Sequence, residues 1–248
     1  MILRFESHVH TNFSDGNFYK LMIRTALKKR INILAITDHN TLKGYPFFIK
    51  FAKECSERGK GDIFILPAEE IGCPEGDVLA YGISEEIEKG RVAETLDKIH
   101  DQGALAVMAH PFSFFTSVSA NVAKKNHFDG IEVINYNSAD IFNKLSQKFA
   151  KARPNLFRLG GNDAHQPWDI GITLNLIDAE PELESILKAL KKNKIKIVQS
   201  PASFPWRAHY YLKNSFSNPL TIVRTGIKYQ VRWMLKKNLL KRKNKHGA

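Results

Sequence analysis

No Asp or Glu occurs between Pro201 and Ala248, although that stretch carries eleven Lys or Arg. The other 26 of the 37 basic residues stand against 25 acidic ones in residues 1–200, so the net charge of +12 belongs almost wholly to the C-terminal stretch. A segment so unlike the rest has its own partner or its own solvation demand. Cysteine is nearly absent. Cys55 and Cys73 are far apart and lack CxxC spacing, which excludes a disulfide framework and a thiolate zinc site. There is no apolar run of about 18 residues, and Met1-Ile-Leu-Arg4 lacks the pattern of a signal peptide. The expectation is a cytoplasmic chain without a transmembrane segment.

A chain of this length can bury ~75% of its unfolded surface in one domain, so a buried site needs no partner. In residues 1–200 strand-like and helix-like patterns alternate. Helices are expected over 18–30 (Leu21, Met22, Thr25 and Leu27 at helical spacing), over 41–56 (capped by Thr41, with Phe47, Phe48, Phe51 and Ala52 inward), and over 91–102, 138–152 and 181–192. Strands are expected over 31–37, 63–67, 77–83, 104–109, 130–135, 155–159, 172–177 and 195–198. Such alternation fits an α/β barrel or a doubly wound sheet.

His8 and His10 sit two apart on an extended segment, so both imidazoles share one face, and Asp15 follows on a Ser-Asp-Gly turn that can swing a carboxylate back toward them. Asp38 and His39, Glu69 and Glu70, His110, Asn135, and Asp163 and His165 each follow the C-terminal end of an expected strand. In a barrel of parallel strands those ends meet at one mouth. Imidazole and carboxylate without thiolate suit Zn²⁺, Mn²⁺ or Fe²⁺. Five histidines and several carboxylates exceed what one ion can use, so two or three divalent ions sharing a bridging carboxylate are expected. Such a site lowers the pKa of bound water from 15.7 to about 7 and neutralises phosphate charge, which points to hydrolysis.

The motifs His8-x-His10 with Ser14-Asp15-Gly16, Thr37-Asp38-His39, Pro67-Ala-Glu-Glu70-Ile71, Ala109-His110-Pro111, Gly130-Ile-Glu-Val-Ile-Asn135 and Gly161-Asn-Asp163-Ala-His165 resemble, in order, those of the PHP (polymerase and histidinol phosphatase) family of metal-dependent phosphoesterases. The resemblance implies a distorted (β/α)7 barrel over residues 1–200 with its metal site at the C-terminal strand ends. It implies that His8, His10, Glu70 and Asp163 surround one ion. Glu70 would bridge to a second ion held by His110 and a group near Asn135, and Asp15, His39 and His165 would hold a third. Asp15, His39, Glu70 and His165 are the implied catalytic residues, around a metal-bound hydroxide that attacks phosphorus. Asp38 is expected to orient His39, and Glu69 to be a neighbouring surface or supporting group. The substrate would be a small phosphorylated metabolite, a nucleotide or an oligonucleotide end. The same donors would also suit C–N bond hydrolysis, or a non-catalytic metal-stabilised module.

Other residues have plainer readings. His100, His127, His209 and His246 read as helix-face or surface histidines. Trp168 reads as core or pocket lining, and Gly160-Gly161 as room for the approach of Asp163 and His165. In the extension, 201–248, Arg224, Lys228, Arg232 and Lys236 recur beside Val223, Ile227, Val231 and Met234. This predicts a basic amphipathic helix over about 220–240. It would pack on the barrel, or hold nucleic-acid phosphates or an anionic membrane surface, making the chain peripheral there.

Overall fold

The computed structural model describes residues 1–113 and 116–200, so the expected 201–248 extension and its helix lie outside the described residues. Nine strands form one sheet: β1 (Ile2–Val9), β2 (Ile33–Ile36), β3 (Phe64–Cys73), β4 (Gly76–Tyr81), β5 (Leu105–Met108), β6 (Gly130–Asn135), β7 (Phe157–Gly161), β8 (Thr173–Asp178) and β9 (Lys196–Gln199). Their spatial order is β7-β6-β5-β4-β3-β2-β1-β8-β9. From the pairings, β1, β2, β3, β5, β6, β7 and β9 all run one way, and only β4 and β8 run against them. Seven parallel strands in a nearly closed barrel are the expected distorted (β/α)7 architecture, and the two antiparallel strands are its distortion.

Helices α1 (Tyr19–Lys28), α2 (Tyr45–Glu57), α3 (Val92–Asp101), α4 (Ala120–Lys125), α5 (Asp140–Lys151) and α6 (Leu183–Lys191) lie between the strands. Met22, Ile23 and Ala26 of α1 and Phe48, Phe51, Ala52 and Cys55 of α2 pack on Leu34, Ile36 and Ile65. Burying such side chains contributes roughly 1.5–3 kcal/mol each. Two expected core positions are instead exposed, Leu21 at 44% and Phe47 at 52%. Phe47 stacks on Phe13. Thr41 is not the α2 cap. The helix starts four residues later, after Gly44, and the Thr41 hydroxyl donates to Glu86 Oε2 at 3.2 Å. The strand expected at 63–67 continues to Cys73 because it turns back on β4 as a hairpin, so strict strand–helix alternation fails there.

Closure is made partly by backbone and partly by amide side chains. His10 N–H donates to Ala164 O at 2.9 Å and Ala164 N–H to His8 O at 3.0 Å, which joins the end of β1 to the segment after β7. Between β7 and β8, Asn175 accepts from Gly160 N–H at 2.8 Å and donates to Gly160 O at 2.7 Å. Asn162 does the same for Thr173, accepting from its N–H and donating to its carbonyl, both at 2.8 Å. A carboxamide presents the donor and acceptor of a peptide group, so each Asn stands in for the strand residue missing at the seam and, with the Ser7 hydroxyl that also donates to Gly160 O at 2.8 Å, satisfies the backbone groups buried there.

Candidate metal centre

Strand parity decides which side chains reach the barrel mouth. Along β3, Leu66 and Ala68 face the interior cluster while Ile71 joins the outer one. Glu70 therefore points inward and Glu69 outward. In β1, Phe5 faces the interior and Val9 the outer layer of α1 and α2. These positions differ by an even number, so a plain strand would put them on one face. A register shift between Glu6 and Val9 changes the parity and turns His8 and His10 inward, as bulges beside functional sites do. His110 and Asp163 occupy left-handed backbone, with φ of 28° and 50°. That conformation is unfavourable for a side-chain-bearing residue and brings both groups to the mouth.

Three groups of potential ligand atoms result, each with all its atoms within 4.8 Å of one another: His8, His10, Glu70 and Asp163; Glu70, Asp77 and His110; and His10, Asp15, His39 and His165. In the first, His8 Nε2 and His10 Nε2 are 3.1 Å apart. Glu70 Oε2 lies 3.3 and 3.1 Å from them, and Asp163 Oδ1 3.6 and 3.2 Å. In the second, His110 Nε2 is 3.0 Å from Glu70 Oε1. In the third, Asp15 lies 3.3 Å from His165 Nε2 and 3.8 Å from both His39 Nε2 and His10 Nδ1. Glu70 thus spans the first two groups and His10 joins the first to the third.

The metal-free electrostatics are those of crowded ligands. Burial pulls His8 down, but Glu132, Glu70 and Asp163 together hold it well above the ordinary imidazole value. His10 and His110 are likewise pulled down by burial and carried up by carboxylates, to about 10 and about 9. Burial raises Glu70 and Asp163, yet the histidines leave both well below the usual carboxylate range. Asp15 falls to about 2: burial opposes the shift, and the hydrogen bond from His165 leads the effects that produce it. Asp77 rises to about 7 through burial and then through the charge of Glu70. Burial also lowers His39. Protons now held by these imidazoles would be exchanged for divalent cations on binding.

The residues fit cations. Donors converge at one mouth, with His8, His10 and Glu70 shut off from solvent, His10 Nδ1 is buried without a hydrogen-bond partner, and the donor set is imidazole and carboxylate throughout. The clusters are consistent with several ions. A fully buried carboxylate, Glu132, supports them. Its Oε1 lies 3.0 Å from His8 Nδ1, and its Oε2 accepts from His110 N–H at 2.7 Å and Asn135 Nδ2 at 2.9 Å. Gly161 makes room for it, since a Cβ there would meet Glu132 Oε1 at 1.7 Å.

Of the expected ligands, His8, His10, Asp15, His39, Glu70, His110, Asp163 and His165 all come together. Asn135 lies beside them but in none of the three groups. Its amide donates to Glu132 and accepts from Asn137 N–H at 2.9 Å. Asp38 does not orient His39. It accepts from Thr11 N–H at 2.6 Å, Thr11 Oγ1 at 2.5 Å and Ser14 Oγ at 2.7 Å, bracing the turn that carries Asp15. Glu69 is not at the surface: it is buried and accepts from Ile87 N–H at 3.1 Å. His100 is not a bare surface group, because its Nε2 lies 2.8 Å from Asp129 Oδ2. Trp168 is half exposed rather than core. The sequence reading missed Glu132 as part of the site and took Asp77 to shape the pocket rather than to be a candidate ligand. Each is the one charge in an otherwise apolar strand, on the period-two face that points inward, and that was the available signal.

A nearly closed barrel with imidazole–carboxylate clusters at its parallel strand ends defines the class. Residues 6–214 match the PHP domain model, and the chain belongs to the PHP family. It is similar to an uncharacterised protein of Methanocaldococcus jannaschii, 32% identical over 158 residues that cover 58% of this chain and 89% of that protein. Among solved structures it resembles a two-domain protein of Bacteroides vulgatus described as containing a predicted PHP-like metal-dependent phosphoesterase, with TM-score 0.63 and 20% identity over 80% of this chain. The chain spans 65% of that protein's length. It also resembles a lesion-specific endonuclease, endonuclease Q, of Pyrococcus furiosus, with TM-score 0.58, 16% identity and coverage of 79% of this chain and 58% of that one. Among the described residues no helix is long and apolar enough to cross a membrane.

Proposed function

We propose that this protein is a metal-dependent phosphoesterase that hydrolyses a phosphomonoester or phosphodiester of a small phosphorylated metabolite, a nucleotide or an oligonucleotide end. The observation that carries the reading is the set of three ligand clusters linked through Glu70 and His10 at one barrel mouth. His8, His10, Glu70 and Asp163 would hold one cation, Glu70 and His110 a second, and Asp15, His39 and His165 a third. Bound cations would bring the pKa of water down to about 7 and offset the charge of a phosphate.

The chain's own residues give the site a direction. His8, His10 and Glu70 are shut off from solvent, whereas the side chains of His39, His165 and Asp15 are 34%, 30% and 55% exposed. Substrate would meet the third cluster first, while the first two stay dry and keep their electrostatics strong. The endonuclease fold relative supports an oligonucleotide end among the substrates. The basic residues of 201–248, proposed as a separate extension, would add affinity for such an anionic partner.

Phosphate release from a panel of mono- and diesters, with added Mn²⁺ or Zn²⁺, tests the reading. Metal-dependent release that is abolished in His8→Ala is expected. Metal-independent turnover, or turnover unchanged in the variant, overturns it.

A further inference from the structure

The one charged side chain of β4, Asp77, faces the barrel interior. In the antiparallel pair Glu70 lies opposite Leu79 and Gly72 opposite Asp77. Asp77 and Glu70 are therefore diagonal neighbours on the face shared with Leu79 and Tyr81. Asp77 is 8% exposed, and one of its oxygens lies within 4.8 Å of ligand atoms of both Glu70 and His110. Asn135, the other candidate for this position, has its amide committed at both ends, to Glu132 and to Asn137 N–H, and its own N–H donates to Asn143 Oδ1 at 2.9 Å.

The three clusters differ in donor chemistry. The first offers two imidazoles and two carboxylates, the third three imidazoles and one carboxylate, and the second one imidazole and two carboxylates. Oxygen-rich sites suit Mg²⁺ and Mn²⁺, while imidazole-rich sites suit Zn²⁺. We infer that Asp77 is the third protein ligand of the second cation and that it makes this position the one most selective for Mn²⁺ over Zn²⁺, so that the centre is heteronuclear. The inference rests on the metal-dependent reading above and adds a ligand and a metal preference to it.

The test uses the full chain, loaded from an equimolar mixture of Mn²⁺ and Zn²⁺. Bound metal is counted by elemental analysis, and bound Mn²⁺ is followed by electron paramagnetic resonance. Wild type is expected to retain both metals. Asp77→Asn should lose about one Mn²⁺ per chain and keep its Zn²⁺. Asp77→His should restore the total with Zn²⁺ in place of Mn²⁺, which a purely structural role for Asp77 would not do. An Asp77→Asn protein that keeps its Mn²⁺, or an Asp77→His protein that regains Mn²⁺ rather than Zn²⁺, overturns the inference. If these counts hold but no phosphoester is hydrolysed, the phosphoesterase reading fails and the ligand assignment stands.

Discussion

His8 Nδ1 lies 3.0 Å from Glu132 Oε1, and neither side chain is open to solvent. An ionised carboxylate can only accept, so Nδ1 is the donor and Nε2 is left to face His10, Glu70 and Asp163. Glu132 thereby sets the tautomer and tilt of a ligand without being near enough to the other donors to be one itself. Through His110 N–H and the Asn135 amide the same carboxylate also holds the neighbouring cluster.

Glu132→Gln keeps the shape but leaves one acceptor oxygen where two are in use. Metal affinity should fall about 10- to 100-fold, the usual consequence of losing a group that orients a metal-binding histidine. Calorimetric titration with Mn²⁺ and Zn²⁺ measures this, with far-UV circular dichroism expected to stay native. Unchanged affinity would show that His8 is held by packing alone.

Gly161→Ala acts on the same contact from the other side. Its Cβ would fall 1.7 Å from Glu132 Oε1 and 3.3 Å from His8 Cβ, so the carboxylate has to move off His8. We expect a protein destabilised by roughly 1–3 kcal/mol, as for other overpacked interiors, and poor in metal. Gly72→Ala is the control, since its nearest atoms at 3.5–3.7 Å make ordinary contacts and its stability should match wild type. Equal melting temperatures for the two variants would contradict this account.

Asn175→Ala opens the seam. Gly160 N–H loses its acceptor in a buried place, whereas Gly160 O keeps the Ser7 hydroxyl at 2.8 Å, and one unsatisfied buried group costs about 1–3 kcal/mol. Urea unfolding should show a loss of roughly 1–3 kcal/mol with no direct change in the ligand set. A loss below 0.5 kcal/mol would mean that the barrel closes without the amide, against the ~1 kcal/mol expected for even one lost hydrogen bond.

The pH dependence has opposite signs with and without metal. In the metal-free protein His10 and His110, raised to about 10 and about 9, add stability that is fully present below the unfolded imidazole value of about 6.5 and is lost as pH rises through 9–10. Cations must displace those protons, so metal affinity should rise with pH over the same window and binding should release protons. Titrations in buffers of different ionisation enthalpy would detect the release. Affinity that does not change between pH 7 and 9 would contradict it.

Residue order and elementary patterning determined much of this protein. Period two put His8 with His10 on one face, and the resemblance of Pro67-Ala-Glu-Glu70-Ile71 to the family motif pointed to Glu70 rather than Glu69. The recurrence of polar residues at strand ends was enough to expect one mouth. These features are legible because they depend on neighbours within a few residues. Tertiary structure alone decided the rest. The parity change in β1, the antiparallel run of β4 that brings Asp77 beside Glu70, the turn of Asp38 toward Thr11 and Ser14, and the reach of Glu132 across 124 residues to His8 all depend on strand direction and register. Pairing between distant segments sets those, and a local pattern carries no record of it.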